Sequence, residues 1–130
     1  MKFINTNEAP TAIGPYSQAV ATKGMVYTSG QIALDTNGEM VGNDVETQTH
    51  QVMKNLLHVL QAAGAGYSDV IKTTIFLADM DDFSKVNDIY AIYFGDHKPA
   101  RSTVAVKTLP KNALVEIDCI ALSEAHVNFG

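Results

Sequence analysis

The segment Leu114–Leu122 places the strongest constraint on the fold, because it is typical of a long strand and is partly apolar on both faces. Alternate residues of a strand point to opposite faces of a sheet. The two faces consist of Val115, Ile117, Cys119 and Ala121 and of Glu116, Asp118, Ile120 and Leu122. A strand of this kind needs cover on both sides. We expect helices to provide that cover on one side, and the sequence predicts two of them.

Two amphipathic helices precede this strand. For the first, Asn43 is the predicted N-cap, Glu46 completes a capping box, and Gly64–Gly66 ends the helix. Its apolar face has the i, i+3, i+4 spacing of a helix and consists of Val45, Val52, Met53, Leu56, Leu57, Leu60 and Ala63. The second helix follows a group of aspartates, which favour the positive end of a helix, and ends at Gly95. Its apolar residues are Phe83, Val86, Ile89, Tyr90, Tyr93 and Phe94.

Four shorter runs complete the predicted elements. These strands are Gln18–Thr22, Met25–Ser29, Val70–Leu77 and Ser102–Val106. Lys23 and Gly24 join the first two in a hairpin. The order β-β-α-β-α-β-β predicts one two-layer α+β domain over residues 1–130, with two helices on one face of a mostly antiparallel sheet. The other face then requires cover from a second subunit or, alternatively, from loops of a monomer.

The composition excludes several classes of protein. A chain of 130 residues with 46% hydrophobic residues can bury a core without disulfides. The formal net charge of −5 argues against a nucleic-acid partner, whose phosphates require Lys and Arg. No apolar run has the length of a signal peptide or of the roughly 20 residues that a membrane helix needs. Together with the single cysteine, these features predict a cytoplasmic protein with no membrane partner.

Arg101 is the first candidate for chemistry. It opens a strand whose later residues are apolar, so its guanidinium is expected at the edge of the sheet. There the planar fork can bind a carboxylate through two parallel hydrogen bonds. Thr103 lies two residues on and therefore shares the face of Arg101. The alternative is a solvated strand-end arginine or a structural ion pair, and the spacing alone favours that alternative.

Glu116 is the second candidate, because it interrupts an apolar pattern in a strand predicted to be central. Burial raises the pKa of a carboxylate, which suits acid–base chemistry, whereas the alternative is an ordinary glutamate on a wet sheet face. If the last two strands form a hairpin with a bulged loop, Glu116 lies diagonal to Arg101, about 7–8 Å away. The sequence does not fix that register, so a shared site remains open.

Four further residues are weaker candidates. They are Tyr16 and Asn87, whose polar groups can face a pocket, and Ser29 and Gly30, which end a strand where a ligand can approach the backbone. A turn, a bulge or a solvated side chain explains each of them equally well. The histidines have no metal-ligand spacing, and no glycine-rich phosphate motif occurs. We therefore predict no metal.

The motifs around these candidates resemble the RidA/YjgF/UK-type family along nearly the whole chain. The matching stretches are Ala12–Ala19, Thr28–Ile32, Lys72–Leu77, Phe83–Asn87, Pro99–Val104, Leu109–Pro110 and Val115–Ile117. The resemblance implies a chorismate-mutase-like fold and a homotrimer whose sheets form a central barrel, with sites in the clefts between subunits. It also implies hydrolytic deamination, without a cofactor, of the enamines and imines related to 2-aminoacrylate and 2-aminocrotonate. The products are 2-keto acids and ammonia.

The resemblance also implies roles for individual residues. The carboxylate-binding arginine of the family falls on Arg101, and its water-positioning acid falls on Glu116. Its other pocket positions fall on Tyr16, Ser29, Gly30 and Asn87. Thr103 departs from the family, because the best-known deaminases have a cysteine there. That cysteine is not regarded as a nucleophile, so hydrolysis is expected to tolerate the threonine.

Two other functions remain open at the level of sequence. Some members of the family have been described as endoribonucleases or translation inhibitors that act on RNA. The net charge of −5 and the lack of paired histidines argue against that role here. The second alternative is a non-catalytic regulator that binds a metabolite, or a chaperone for unfolded chains, and nothing in the sequence excludes it.

Overall fold

The computed structural model describes residues 1–123, which form a six-stranded sheet and two α-helices. The strands are β1 Lys2–Ile4, β2 Ala19–Thr22, β3 Met25–Thr28, β4 Val70–Leu77, β5 Ala100–Ala105 and β6 Val115–Leu122. Helix α1 spans Val45–Ala62 and helix α2 spans Phe83–Phe94. His126, one of the histidines considered as metal ligands, lies outside the described residues.

The strands are arranged in the order β1-β2-β3-β6-β4-β5, and every neighbouring pair is antiparallel except β4 and β5. The predicted α+β class, with a mostly antiparallel sheet and two helices on one face, is confirmed. The prediction missed β1, because a three-residue strand gives no alternating pattern to detect. The sheet of one chain is open, with β1 and β5 at its edges. A closed barrel therefore needs further copies of the chain.

The hairpin considered for the last two strands is wrong. Strand β5 pairs in parallel with β4, and β6 pairs with the opposite edge of β4. The unit β4-α2-β5 is a crossover connection, which places β5 parallel to β4 at the edge of the sheet. Strand β6 instead lies between β4 and β3, where both of its edges have hydrogen-bonding partners.

Helix α1 begins one residue later than predicted. Asp44, not Asn43, is its N-cap: the Asp44 carboxylate accepts hydrogen bonds from the Thr47 backbone N–H at 2.7 Å and from the Thr47 hydroxyl at 2.9 Å. The two carboxylate oxygens of Asp44 accept one of these hydrogen bonds each. Helix α2 ends at Gly95 as predicted, with the positive φ of 59° that glycine adopts readily.

The two faces of the sheet differ in their cover. Val115, Ile117 and Ala121 of β6 are fully buried beneath the helices. The opposite face, here called the open face, exposes several large apolar side chains: Phe3, Tyr27, Val104 and Leu122. Phe3 is 70% exposed and Tyr27 is 45% exposed, so loops of the same chain leave this face uncovered over residues 1–123. Among those residues, no helix has the length and hydropathy required to cross a bilayer.

Candidate active site

Four of the predicted site residues line one cavity of about 440 Å³ at the end of β3. They are Tyr16, Ser29, Gly30 and Glu116. A bridge of two backbone hydrogen bonds, 2.9 and 3.1 Å long, joins Gln31 to Ile117. This bridge fixes the segment after β3 against the start of β6, so Gly30 and Glu116 are held side by side.

The Glu116 carboxylate lies directly against the α-carbon of Gly30. A Cβ atom added at Gly30 would lie 2.8 Å from the Cδ atom of Glu116, closer than real Cβ contacts. The open backbone at Gly30 was predicted to let a ligand approach. In the structure, the side chain of Glu116 occupies that position instead, so the glycine serves to seat the carboxylate.

The surroundings of Glu116 raise its pKa. Half-burial is the main cause, and the nearby Asp118 carboxylate adds to it. Such a carboxylate holds its proton to a higher pH than an exposed glutamate. It accepts a hydrogen bond from water when ionised, and it exchanges a proton closer to neutral pH. The structure thus places Glu116 in the environment that the sequence analysis expected for an acid–base group.

Ser29 links the cavity to the loop that carries Tyr16. Its hydroxyl donates to the Ser17 carbonyl at 2.6 Å, and its backbone N–H donates to the Gln18 carbonyl at 2.9 Å. The Tyr16 hydroxyl accepts a hydrogen bond of 3.4 Å from the Ile13 backbone, while its ring lies largely exposed at the cavity mouth. Ser29 therefore holds the loop that carries Tyr16 against the end of β3 through these two hydrogen bonds.

Gln18 is a positioning residue that the sequence analysis did not identify. Its side chain is 2% exposed, and its amide nitrogen donates to the carbonyls of Thr6, Ala9 and Pro10. Its amide oxygen accepts from the Thr6 backbone N–H at 2.7 Å. These bonds fasten the segment that leads into the cavity wall. The available signal was a glutamine at the first position of a predicted strand, which is not distinctive.

Arg101 and Asn87 line a different cavity, on the helix side of the sheet. The Nη1 atom of Arg101 donates to Oδ1 of Asn87 at 2.8 Å. The guanidinium carbon lies 5.0 Å from the centre of the Tyr90 ring and 5.4 Å from that of Phe83, within the range of cation–π contacts. A guanidinium has five N–H donors. The stacked and anchored Arg101 therefore keeps donors with which to bind a carboxylate.

Thr103 lies on the same sheet face as Arg101, as predicted from their spacing. Its hydroxyl oxygen is buried and has no hydrogen-bond partner among residues 1–123. A buried hydroxyl without a partner costs about 1–3 kcal/mol. This oxygen is therefore available to a group outside residues 1–123.

One copy of the chain does not bring Arg101 and Glu116 together. Arg101 is aligned with Thr73 of β4, which is aligned with Cys119 of β6, three residues beyond Glu116. That offset amounts to about 10 Å along the strands and about 10 Å across them. Arg101 also points to the helix side, whereas Glu116 points to the open face. The diagonal arrangement considered from the sequence is therefore wrong.

Two other features bear on the chemistry. Within residues 1–123, no group of three or more His, Cys, Asp or Glu side chains is arranged to hold a metal ion. Burial raises the pKa of the Cys119 thiol to about 12, so the thiolate is scarce at neutral pH. Cys119 thus has the properties of a core residue.

We expect Gly30→Ala to lower the kcat/KM of a reaction that depends on Glu116 about tenfold without unfolding the protein. The reason is that the new methyl group occupies the position of the Glu116 carboxylate. The glutamate side chain is flexible and can turn away, so the fold survives while the carboxylate is displaced. Steady-state kinetics with circular dichroism tests this. Gly66→Ala is the matched control, since a Cβ atom there meets no atom within 4 Å. Unchanged kinetics in the Gly30 variant would contradict the seating role of this glycine.

Known proteins resemble this chain over nearly its whole length. The family model described as endoribonuclease L-PSP matches residues 6–123. A RutC family protein of Synechocystis is 54% identical, with 94% of this chain and 96% of that protein covered. A mouse protein named 2-iminobutanoate/2-iminopropanoate deaminase is 48% identical, with 93% of this chain and 90% of that protein covered. The crystal structure of the YjgF gene product from E. coli has a TM-score of 0.89 at 43% identity, with 94% of this chain and 98% of that chain covered. The chain therefore belongs to the endoribonuclease L-PSP family, also called the RidA/YjgF family.

Proposed function

We propose that this protein hydrolyses reactive enamine and imine intermediates, such as 2-iminopropanoate and 2-iminobutanoate, to 2-keto acids and ammonia. The observation that carries the proposal is the half-buried Glu116 carboxylate, which has a raised pKa and is seated against Gly30 in a cavity. The name of the mouse relative supports the same reaction class.

In this mechanism Glu116 acts on water and Arg101 acts on the substrate. Arg101 binds the substrate carboxylate by two hydrogen bonds. Glu116 accepts a proton from a water molecule as that water attacks the imine carbon, which gives a carbinolamine. The proton then passes to the nitrogen, the C–N bond breaks as Glu116 takes the proton of the new hydroxyl group, and ammonia leaves as the ketone forms. A protonated imine is already a strong electrophile, so this route requires no metal or cofactor.

Because Arg101 and Glu116 lie on opposite faces of the sheet in one chain, we propose that each site combines Glu116 from one copy with Arg101 from another. The open face, with Phe3, Tyr27 and Leu122, provides the apolar surface for this association. A homotrimer with three such sites satisfies both requirements. The buried Thr103 hydroxyl, which has no partner among residues 1–123 and lies two residues from Arg101, then faces the ligand or the neighbouring copy. The single buried thiol is compatible with a cytoplasmic location.

The direct test is release of pyruvate from 2-aminoacrylate that a dehydratase generates from serine. We expect wild-type protein to accelerate release over the spontaneous rate and Glu116→Ala to abolish the acceleration. Because the carboxylate has to be ionised to accept a proton, the acceleration declines as the pH falls through the raised pKa of Glu116. Glu46→Ala, which removes an exposed carboxylate of α1 that does not line the cavity, is the control. Binding without turnover would instead favour a metabolite-binding regulator. RNA cleavage that Glu116→Ala abolishes would favour the ribonuclease alternative.

A further inference from the structure

The cavity that holds Glu116 is also lined by Lys111, to which the proposed mechanism gives no task. Apart from these two residues, the side chains that line the cavity are apolar or uncharged. Lys111 is exposed, so its ammonium is reachable by a ligand entering from the cavity mouth. A cation at this position is therefore unused by any step described so far.

The backbone at Lys111 is held in an unfavourable conformation. Lys111 has φ 55° and ψ 26°, and Asn112 has φ 55°, in the left-handed region that residues other than glycine rarely adopt. Two hydrogen bonds keep this turn closed: Asn112 N–H donates to the Leu109 carbonyl at 3.0 Å, and Ala113 N–H donates to the Pro110 carbonyl at 3.1 Å. Backbone strain that persists beside a cavity is typical of functional positions.

Lys111 does not act by holding Glu116 in its ionised form. A dominant cation would lower the pKa of the glutamate, but that pKa is raised, by burial and by the Asp118 carboxylate. The positive charge of Lys111 is therefore available to an anion other than this carboxylate. An anionic group of the ligand, at the outer part of the cavity, meets this requirement.

We propose that Lys111 is a specificity residue that binds the second carboxylate of 2-imino dicarboxylic acids. The inference rests on the proposed function, in which Arg101 takes the carboxylate next to the imine. A monocarboxylic imine has no further anion for an ammonium group to bind. A cavity of about 440 Å³ is in the size range of much larger ligands, so a longer substrate fits. With 2-iminosuccinate, water adds at the imine carbon and ammonia leaves, giving oxaloacetate.

The test compares two substrates that are generated enzymatically in the same assay, 2-iminosuccinate and 2-iminopropanoate. We expect Lys111→Met to lower kcat/KM for 2-iminosuccinate about tenfold and to leave 2-iminopropanoate within about twofold of wild type. Lys111→Arg keeps the charge and should retain the preference. Lys107→Met is the matched control, since Lys107 is an exposed lysine that does not line the cavity. Salt should weaken the wild-type preference for the dicarboxylate, because the ion pair is exposed.

The possible outcomes separate this inference from the proposed function. Equal losses for both substrates in Lys111→Met, no loss for either, or a preference that salt leaves unchanged would each overturn the role of Lys111. Wild-type protein that hydrolyses 2-iminopropanoate but not 2-iminosuccinate would overturn it too, while the proposed function stands. Failure to hydrolyse either substrate would overturn both.

Discussion

Arg101→Ala is expected to lower kcat/KM for 2-iminobutanoate about a hundredfold or more in a protein that remains folded. The reason is the loss of bidentate carboxylate binding, in which each charge-assisted hydrogen bond contributes about 1.5–3 kcal/mol. Arg101→Lys keeps the charge but loses the planar fork and the stacking on Tyr90, so we expect a loss of about ten- to a hundredfold. Steady-state hydrolysis by the three proteins measures both effects.

Control variants distinguish the loss of the Arg101 side chain from general damage to the helix side of the sheet. Lys98→Ala is the matched control, because Lys98 lines the same cavity, whereas the hydrogen bond to Asn87 and the stacking on Tyr90 belong to Arg101. Its kinetics should stay close to wild type. Asn87→Ala should have an intermediate effect, because it removes the 2.8 Å anchor of the guanidinium without removing the guanidinium itself. If folded Arg101→Ala protein has wild-type kinetics, Arg101 is not part of the site.

The fold could be predicted largely because strand and helix periodicities are local properties of the sequence. The two-sided pattern of β6 indicated a central strand, and the structure places β6 between β3 and β4. The pairing of β5 was not predicted. A short loop such as 106–114 suggests that the two strands it connects pair with each other, but in the sheet β4 lies between β5 and β6. The position of β4 between β5 and β6 depends on the crossover through α2, which is a property of the whole sheet.

The site was predicted less completely, for a different reason. Residue types and the family resemblance indicated Glu116 and Arg101 as candidates, and in the structure Glu116 is half-buried with a raised pKa. Their arrangement could not be predicted, because it depends on strand register and on surfaces between copies, neither of which leaves a local pattern. Gln18 and Lys111 were missed because their significance comes from contacts and backbone conformation that sequence spacing does not reveal.

The separation of Arg101 from Glu116 leads to a second large effect, which is recovery of activity by mixing two inactive variants. Arg101→Ala supplies an intact Glu116, and Glu116→Ala supplies an intact Arg101. If each site of a homotrimer takes one residue from each of two neighbouring copies, random assembly from equal amounts gives about a quarter of the sites both intact residues. We therefore expect co-refolded protein to recover about a quarter of wild-type activity, from two parents that are each nearly inactive.

The control for this experiment mixes two variants that both damage the Glu116 part of the site. Glu116→Ala and Gly30→Ala both damage the cavity at the start of β6, so every mixed site carries one of the two defects, and activity should equal the average of the parents. Light scattering should give the mass of three chains before and after mixing. A monomeric mass would contradict the shared site. A trimer without recovery in the Arg101 and Glu116 mixture would also do so, because it would mean that a single copy supplies both residues by a rearrangement of β5.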